Sequence, residues 1–408
     1  MELYVMNKDI RVAVYKNGEL EILNAQLAPY YLVKTKHLES WLEHRAIDSH
    51  RVNSRLLKKA LRLKEKDDFS TVISVNAVTI TDTYWVKEIG SSLTYEDVRF
   101  KDDFFAELAL SGGYDNFNNA SNSKNKRTPE LTNTGSFEKC WKLINGAWFM
   151  YKTANDMQMF SELFTYKLGK KLGFNMADYQ MGEVYIKTRD FTNNAGVNFE
   201  PMFDYVNDDD DYAVSLSVIQ KYCPCAVGDY IRILFMDTLV ANLDRHTFNY
   251  GFLRSADTGE YIGLAPNFDN NLSLISLSYP RNVERKNDIL IRLLVELIND
   301  NFGLDKYIPV LNRLDVEEVA DSIPIDVNKS LVVDFVFNGY NSLIEQLDFK
   351  YVELEQSSFN MLDAAIKKDL CYRVCNSKVI VRIANAHREE LNRALAGIRQ
   401  NYKSHCKH

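Results

Sequence analysis

No run of about 18 apolar residues occurs in the sequence, so no segment is expected to span a membrane. The opening Met1-Glu-Leu-Tyr4 lacks the basic stretch and apolar run of a secretory leader, and a cytoplasmic location is expected. Positive charge is not in surplus. The formal net charge is −7, which argues against nucleic-acid binding over a broad surface and leaves only a local basic patch open. The six cysteines, at 140, 223, 225, 371, 375 and 406, are scattered. They form no metal-ligand pairing and no secretory framework, so reduced thiols are expected; the C-terminal Lys403-Ser-His-Cys-Lys-His408 could coordinate metal but reads better as a frayed tail. Asp208 to Asp211 is an acidic run without the spacing of a calcium loop and reads as a solvated loop. No internal repeat is visible.

What the chain does have is apolar and aromatic mass. Of 408 residues, 46% are hydrophobic and 26% charged, with 23 Tyr and 22 Phe. That suffices for a large core and argues against a disordered chain. The length suits two or three domains or subdomains.

The most informative stretch is Asn242-Leu-Asp-Arg-His-Thr-Phe-Asn249 and its continuation to Asp269. The apolar run Val227 to Val240 predicts a buried helix that stops at this polar loop. Tyr250 to Leu253 and Tyr261 to Ala265 predict two strands around the turn signal Asp257-Thr-Gly259. A hairpin centred there pairs Asn249 roughly with Pro266 and gathers Asp244, Asn249 and Asp269 into one small volume. Two oxygen ligands at adjacent strand ends suit a hard cation such as Mg2+, which retains waters and takes phosphate oxygens. A carboxylate slightly upstream can orient a hydroxyl and accept its proton. Asp244 and Asn249 have the Asp-x-x-x-x-Asn spacing of the protein-kinase catalytic loop, and Asp269 falls where kinases carry a metal-binding Asp. The plainer alternative is a polar loop whose Asp residues cap helices.

The form Asn-x-Asp-x-His-x-x-Asn followed by Ala-Pro-x-x-Asp resembles the HipA-like kinases, bacterial Ser/Thr kinases often found in toxin–antitoxin systems. The resemblance covers roughly residues 79 to 300 and implies several further assignments. Gly135, Ser136 and Phe137 would form the phosphate-covering loop, with one glycine in place of the usual triplet, as in that family. Lys152, ending the strand Ala147 to Lys152 after the Asn145-Gly146 turn, would pair the phosphates of ATP; the alternative is a surface lysine at a strand end. Glu162, near the start of a helix over 161 to 173, would hold Lys152, although its place in the first helical turn also explains a Glu. Asp244 would be the catalytic base, with Lys152 assisting, and Asn249 and Asp269 would hold Mg2+. His246 is expected to play a structural hydrogen-bonding role. The segment from Tyr179 to Phe191 is assigned to the hinge that binds adenine. An antitoxin-like partner and a protein Ser/Thr substrate are implied, and the oligomeric state is left open.

Around this centre, residues 1–112 read as an accessory region, with a hairpin at Asn17-Gly18 and a helical tract from His37 to Leu63 whose Arg and Lys residues suit a solvated face better than a docking surface. Thr79 to Trp85 and Leu93 to Val98 resemble a leader of longer HipA-like kinases and have no evident chemical role. Residues 113–130 are polar and read as a linker or loop. The expected fold is α+β and two-lobed, protein-kinase-like, with a β-rich N-lobe at 131–191 and a mostly helical C-lobe at 192–408. Helical periodicity marks Ile289 to Ile298, Phe335 to Leu347, Met361 to Val374 and Val379 to Ile398. The expected function is an ATP- and Mg2+-dependent protein Ser/Thr kinase. A small-molecule kinase on the same fold and a non-catalytic nucleotide-binding module are the alternatives.

Overall fold

Two Asn-Gly turns, at 17–18 and 145–146, each join two antiparallel strands and set their register. Asn17 and Gly18 have φ of 55° and 84°, and Asn145 and Gly146 have φ of 50° and 79°. Positive φ at both central residues is the two-residue hairpin geometry that Asn-Gly favours. The computed structural model describes residues 2–348 except 52, 64–66, 124–126 and 302. The helical stretches expected at Met361 to Val374 and Val379 to Ile398, and the tail from Lys403 to His408, lie outside the described residues.

In chain order, β1 (Leu3–Asn7), β2 (Ile10–Lys16) and β3 (Glu19–Ile22) precede four short helices. These are α1 (Tyr30–Thr35), α2 (Leu38–Glu43), α3 (Ser54–Ala60) and α4 (Asp68–Ile73). Next come β4 (Tyr84–Glu88), α5 (Tyr95–Val98), α6 (Ala106–Ser111) and α7 (Tyr114–Asn122). The elements β5 (Lys139–Ile144), β6 (Ala147–Thr153), α8 (Asp156–Lys171), β7 (Tyr179–Met181) and β8 (Tyr185–Arg189) follow. After them run β9 (Val197–Pro201), α9 (Phe203–Val206), α10 (Tyr212–Tyr222), α11 (Val227–Val240), β10 (Gly251–Ser255) and β11 (Tyr261–Leu264). The last described helices are α12 (Ile289–Asp300), α13 (Arg313–Asp321) and α14 (Lys329–Asp348). None of the described helices is long and apolar enough to cross a membrane.

The chain divides into two compact units, Met1–Tyr230 with Leu243–Ser278, and Ile231–Asn242 with Tyr279–His408. The first holds three antiparallel sheets, ordered β3-β2-β1-β4, β5-β6-β8-β7 and β11-β10-β9. Residues 1–112 share a core with the strands that follow. Leu57, Trp85 and Phe105 are buried in one cluster with Trp141, Trp148 and Tyr151. The Thr79 to Trp85 segment therefore has a packing role, with Trp85 fully buried.

In the second unit, α12 turns Leu290, Ile291, Leu294 and Ile298 inward, and the Asp288 carboxylate caps it by accepting from the Leu290 and Ile291 N–H groups. Arg285 is buried there. It donates to the Thr238 and Leu239 carbonyls at 2.6 and 2.9 Å and lies over the Phe335 ring.

Two expectations need correction. The tract from His37 to Leu63 is two short helices, α2 and α3, separated by a turn in which Asp48 accepts from the His50 N–H. Its cations are not all solvated: the side chains of Arg51 and Lys58 are buried, and Arg45 bonds the Ala77 carbonyl and Asp82. Turn chemistry broke the helical period, and Arg45 and Arg51 turned inward to satisfy backbone carbonyls while Lys58 meets Asp68. The second correction lies in 113–130, read as a loop, which contains α7 over Tyr114–Asn122. Its Asn-rich sequence has poor helix propensity, but Ala120 is buried in the shared core and Phe117 packs against it.

Candidate functional site

The site is built where β6 ends, where the hairpin β10–β11 returns and at the second turn of α8, which starts at Asp156 and not at the expected 161, so that Glu162 is not in the first helical turn. The hairpin register pairs Phe252 with Leu264, and the Ala265 N–H donates to the Gly251 carbonyl. Continuing it sets Asn249 opposite Asn267, one residue from the expected Pro266. Beyond it, residues 267–271 meet the loop that carries Asp244 and Asn249.

Arg245 ties the two segments together. One guanidinium nitrogen donates to the Asn249 carbonyl at 2.9 Å and the Phe268 carbonyl at 2.7 Å. The other donates to the side-chain oxygens of Asn267 at 2.9 Å and Asn270 at 2.6 Å. A planar fork of donors can make such contacts at once, which a lysine cannot. Within the loop the Asn249 side-chain amide donates to the Asp244 carbonyl at 3.2 Å, which leaves its oxygen as the end able to bind a cation. His246 is exposed, and its Nδ1 accepts from the Phe248 N–H at 3.3 Å, the structural role expected of it.

Lys152 reaches across from β6. Its ammonium donates to Asp269 Oδ1 at 2.6 Å and Asn271 Oδ1 at 2.8 Å and lies 4.4 Å from the centre of the Phe137 ring. The strand lysine and the Asp after the hairpin are thus in contact. Burial alone would raise the Asp269 carboxyl, but the ammonium groups of Lys152 and Lys139 overcome it and hold the group down at about 2. Asp269 adopts φ of 59°, a left-handed backbone uncommon outside glycine, and its N–H donates to the Tyr179 hydroxyl at 3.0 Å.

Glu162 was expected to hold Lys152. Instead its carboxylate accepts the Asn270 N–H at 2.8 Å and the Asn270 side-chain amide at 3.0 Å. Lys152 finds its partners in Asp269 and Asn271, which offer charge and a carbonyl oxygen within reach of the strand end. Burial, reinforced by the Asp269 charge, pushes the Glu162 carboxyl up to about 7. The Asp244 carboxyl is raised by burial, with Asp269 adding to the effect and His246, Lys152 and Arg245 opposing it. A raised carboxyl is a better proton acceptor than an ordinary one.

Gly135, Ser136 and Phe137 form a turn beside these groups, with Gly135 and Ser136 exposed. Gly135 has φ of 95°, and a side-chain carbon there would stand 2.5 Å from Lys139 Nζ. Lys139 is a functional candidate that sequence reasoning missed. In the β5–β6 register Lys139 is directly opposite Lys152, which sets two ammonium groups side by side on one face. Burial, then the Lys152 charge, brings the Lys139 ammonium down to about 7. A signal existed: counting outward from Asn145-Gly146 pairs 139 with 152. Asn270, Asn271, Arg245 and Tyr179 were also missed, because their contacts depend on how three segments meet.

The donor set fits the groups expected here. An ionised Asp269 and the Asn249 amide oxygen are hard ligands of the kind magnesium takes. Among the described residues no group of three or more His, Cys, Asp or Glu is arranged to hold a metal, so a cation here would draw its other ligands from water and phosphate. The side-chain nitrogens of Asn267 and Asn271 are buried without hydrogen-bond partners. The orphaned Asn271 donor, beside the Lys152 ammonium, suits an anionic, oxygen-rich guest.

The described residues form an α+β protein in which Lys152, Asp269, Asn271 and the Asp244–Asn249 loop are brought together. Solved structures similar to it include the Helicobacter pylori proinflammatory kinase CtkA, at 16% identity over 53% of this chain and 94% of that chain, with a TM-score of 0.41. HipA from a Shewanella oneidensis MR-1 toxin–antitoxin complex of HipA, HipB and operator DNA is similar at 12% identity, over 93% of this chain and 96% of that chain, with a TM-score of 0.43. At these scores no residue role carries across from either. No family model matches the chain, and neither does any curated protein.

Proposed function

We propose that the chain is an ATP- and Mg2+-dependent phosphotransferase of the HipA-like kind, acting on Ser or Thr hydroxyls of a protein. The observation that carries this reading is the meeting of Lys152 with Asp269 beside the Asp244–Asn249 loop, which Arg245 fastens to the 267–270 segment. Lys152 and Lys139 supply positive charge for phosphate oxygens, and the Gly135 turn supplies backbone N–H groups at their side. Asp269 and Asn249 would hold magnesium, which when bound neutralises phosphate charge. Asp244 orients the acceptor hydroxyl. As the hydroxyl oxygen bonds to the γ-phosphorus, the bond from that phosphorus to the β-phosphate bridging oxygen breaks, ADP leaves, and Asp244 takes the hydroxyl proton. A cytoplasmic setting and an antitoxin-like protein partner belong to the same proposal.

The test is paired. Incubation with Mg2+ and labelled ATP, followed by intact-mass measurement, should give gains of one phosphoryl group on the chain itself or on a protein substrate. Asp244→Asn should bind Mg-ATP at least as tightly as the parent, since one negative charge near the triphosphate is gone. Transfer should fall by about 10²-fold or more. Equal phosphorylation by parent and Asp244→Asn would rule out the base role, and a mass gain of an adenylyl group would redirect the reading to nucleotide transfer.

A further inference from the structure

The turn carrying Gly135 is closed from outside the kinase-like core. Arg51 lies between α2 and α3, in the N-terminal region, and its side chain is fully buried. One terminal nitrogen of its guanidinium donates to the Asn133 carbonyl at 3.1 Å, and the other donates to the Lys139 carbonyl. These two carbonyls flank residues 134–138. The Glu130 carboxylate lies 4.0 Å from the same guanidinium, and its own oxygens accept from the Asn133 side chain and the Trp141 N–H. Two residues on, the Asn53 N–H donates to the Glu138 carboxylate at 3.1 Å. The neighbouring Ile47 N–H donates to the Leu131 carbonyl at 2.9 Å. Ile47, Arg51 and Asn53 therefore fasten the chain before, within and after the glycine turn.

We propose that Arg51 is a positioning residue of the nucleotide site, whose rigid fork fixes the separation of Asn133 and Lys139 and so sets the shape that residues 134–137 present to phosphate. This rests on the reading of that turn as a phosphate loop. A five-residue segment with free ends samples many conformations, and a guest must order it before using its N–H groups. With both ends pinned to one planar group, that ordering is done in advance. A guanidinium can do this because its terminal nitrogens are held at a fixed spacing; an ammonium offers a single point. Residues 1–112 thereby become part of the nucleotide site without touching the nucleotide. The coupling is reciprocal: whatever steadies the 47–53 turn favours nucleotide binding, and nucleotide steadies that turn.

The experiment uses the full chain. Amide hydrogen exchange of the parent with and without Mg-ATP should show slower exchange at both 134–139 and 47–53. Arg51→Lys should speed exchange at 134–139 without nucleotide by about tenfold while leaving β10–β11 unchanged. Its Mg-ATP affinity should drop about tenfold by calorimetry, and its KM for ATP should rise more than its kcat falls. Protection of 134–139 by Mg-ATP with no change at 47–53 overturns the inference on the unmodified protein, whether or not Arg51→Lys folds. Unchanged loop exchange in folded Arg51→Lys, or a loosened loop with parental ATP affinity, overturns it as well. A parent that binds no Mg-ATP refutes the proposed function instead, and the exchange rates at 134–139 then still decide whether Arg51 holds the turn.

Discussion

Lys139 and Lys152 have opposite surroundings despite facing each other. Lys152 is bonded to Asp269 and Asn271, whereas Lys139 lies under the Gly135 turn with no carboxylate bonded to it among the described residues. An anion entering beside them would relieve repulsion between the two ammonium groups. Lys139→Met is expected to weaken Mg-ATP binding about tenfold, read by calorimetry, while binding of adenosine, which has no phosphate, stays at the parental level. Glu162 gives a second expectation, in the pH dependence of stability. Its folded carboxyl titrates at about 7, above the ordinary 4.5. Between those values the folded state holds a proton that the unfolded chain has lost, so this group's contribution falls as pH rises from 4.5 to 7. Glu162→Gln lacks the titration. The melting temperature of the parent relative to Glu162→Gln should therefore decline between pH 5 and 7.5, and a constant difference would show that Glu162 is ionised throughout.

Among the elements, the hairpin β10–β11 and its flanking loop were the most legible from sequence, because strand alternation and the Asp257-Thr-Gly259 turn fixed the register to within one residue. The Val227–Val240 helix appears with its expected bounds. Legibility stopped where contacts are made across segments. The partner of Glu162 turned out to be Asn270, and no pattern along the chain relates positions 108 residues apart. The sequence likewise announced Arg245 only as one letter inside the loop motif, although three of its hydrogen bonds join the loop to 267–270. Arg245→Lys keeps the charge and loses the fork. The expected result is a fall in kcat of about 10²-fold, as for a small misplacement of catalytic groups, with a melting temperature lower by several degrees. A kcat within about twofold of the parent would mean that the loop holds its shape without Arg245.

For the whole molecule, the N-terminal region is no appendage. Leu57, Trp85 and Phe105 share a core with Trp141, Trp148 and Tyr151, and Tyr84 and Arg254 meet at the buried Glu200. Composition could forecast a large core but not that it would run continuously past residue 112. A chain beginning at residue 113 would expose the inner faces of β5 and β6. It is expected to be insoluble or to bind a hydrophobic dye with weak near-ultraviolet circular dichroism; a soluble, cooperatively melting fragment would show that the core divides there.

Gly259, at the end of the β10–β11 turn, has a practical consequence. Surface hairpin turns are the usual place to insert a tag or a reporter, but this one is sewn down. Asp257 pairs with Lys8 at 2.5 Å, Gln26 donates to the Thr258 carbonyl at 2.7 Å, and a side-chain carbon at Gly259 would stand 2.0 Å from the Gln26 carbonyl oxygen. Added residues there would pry the hairpin from its seat and shift Asp269 with it. The Asn145-Gly146 turn is exposed, and a side-chain carbon at Gly146 would meet nothing within 4 Å, which makes it the better place to attach a fluorophore for following nucleotide binding.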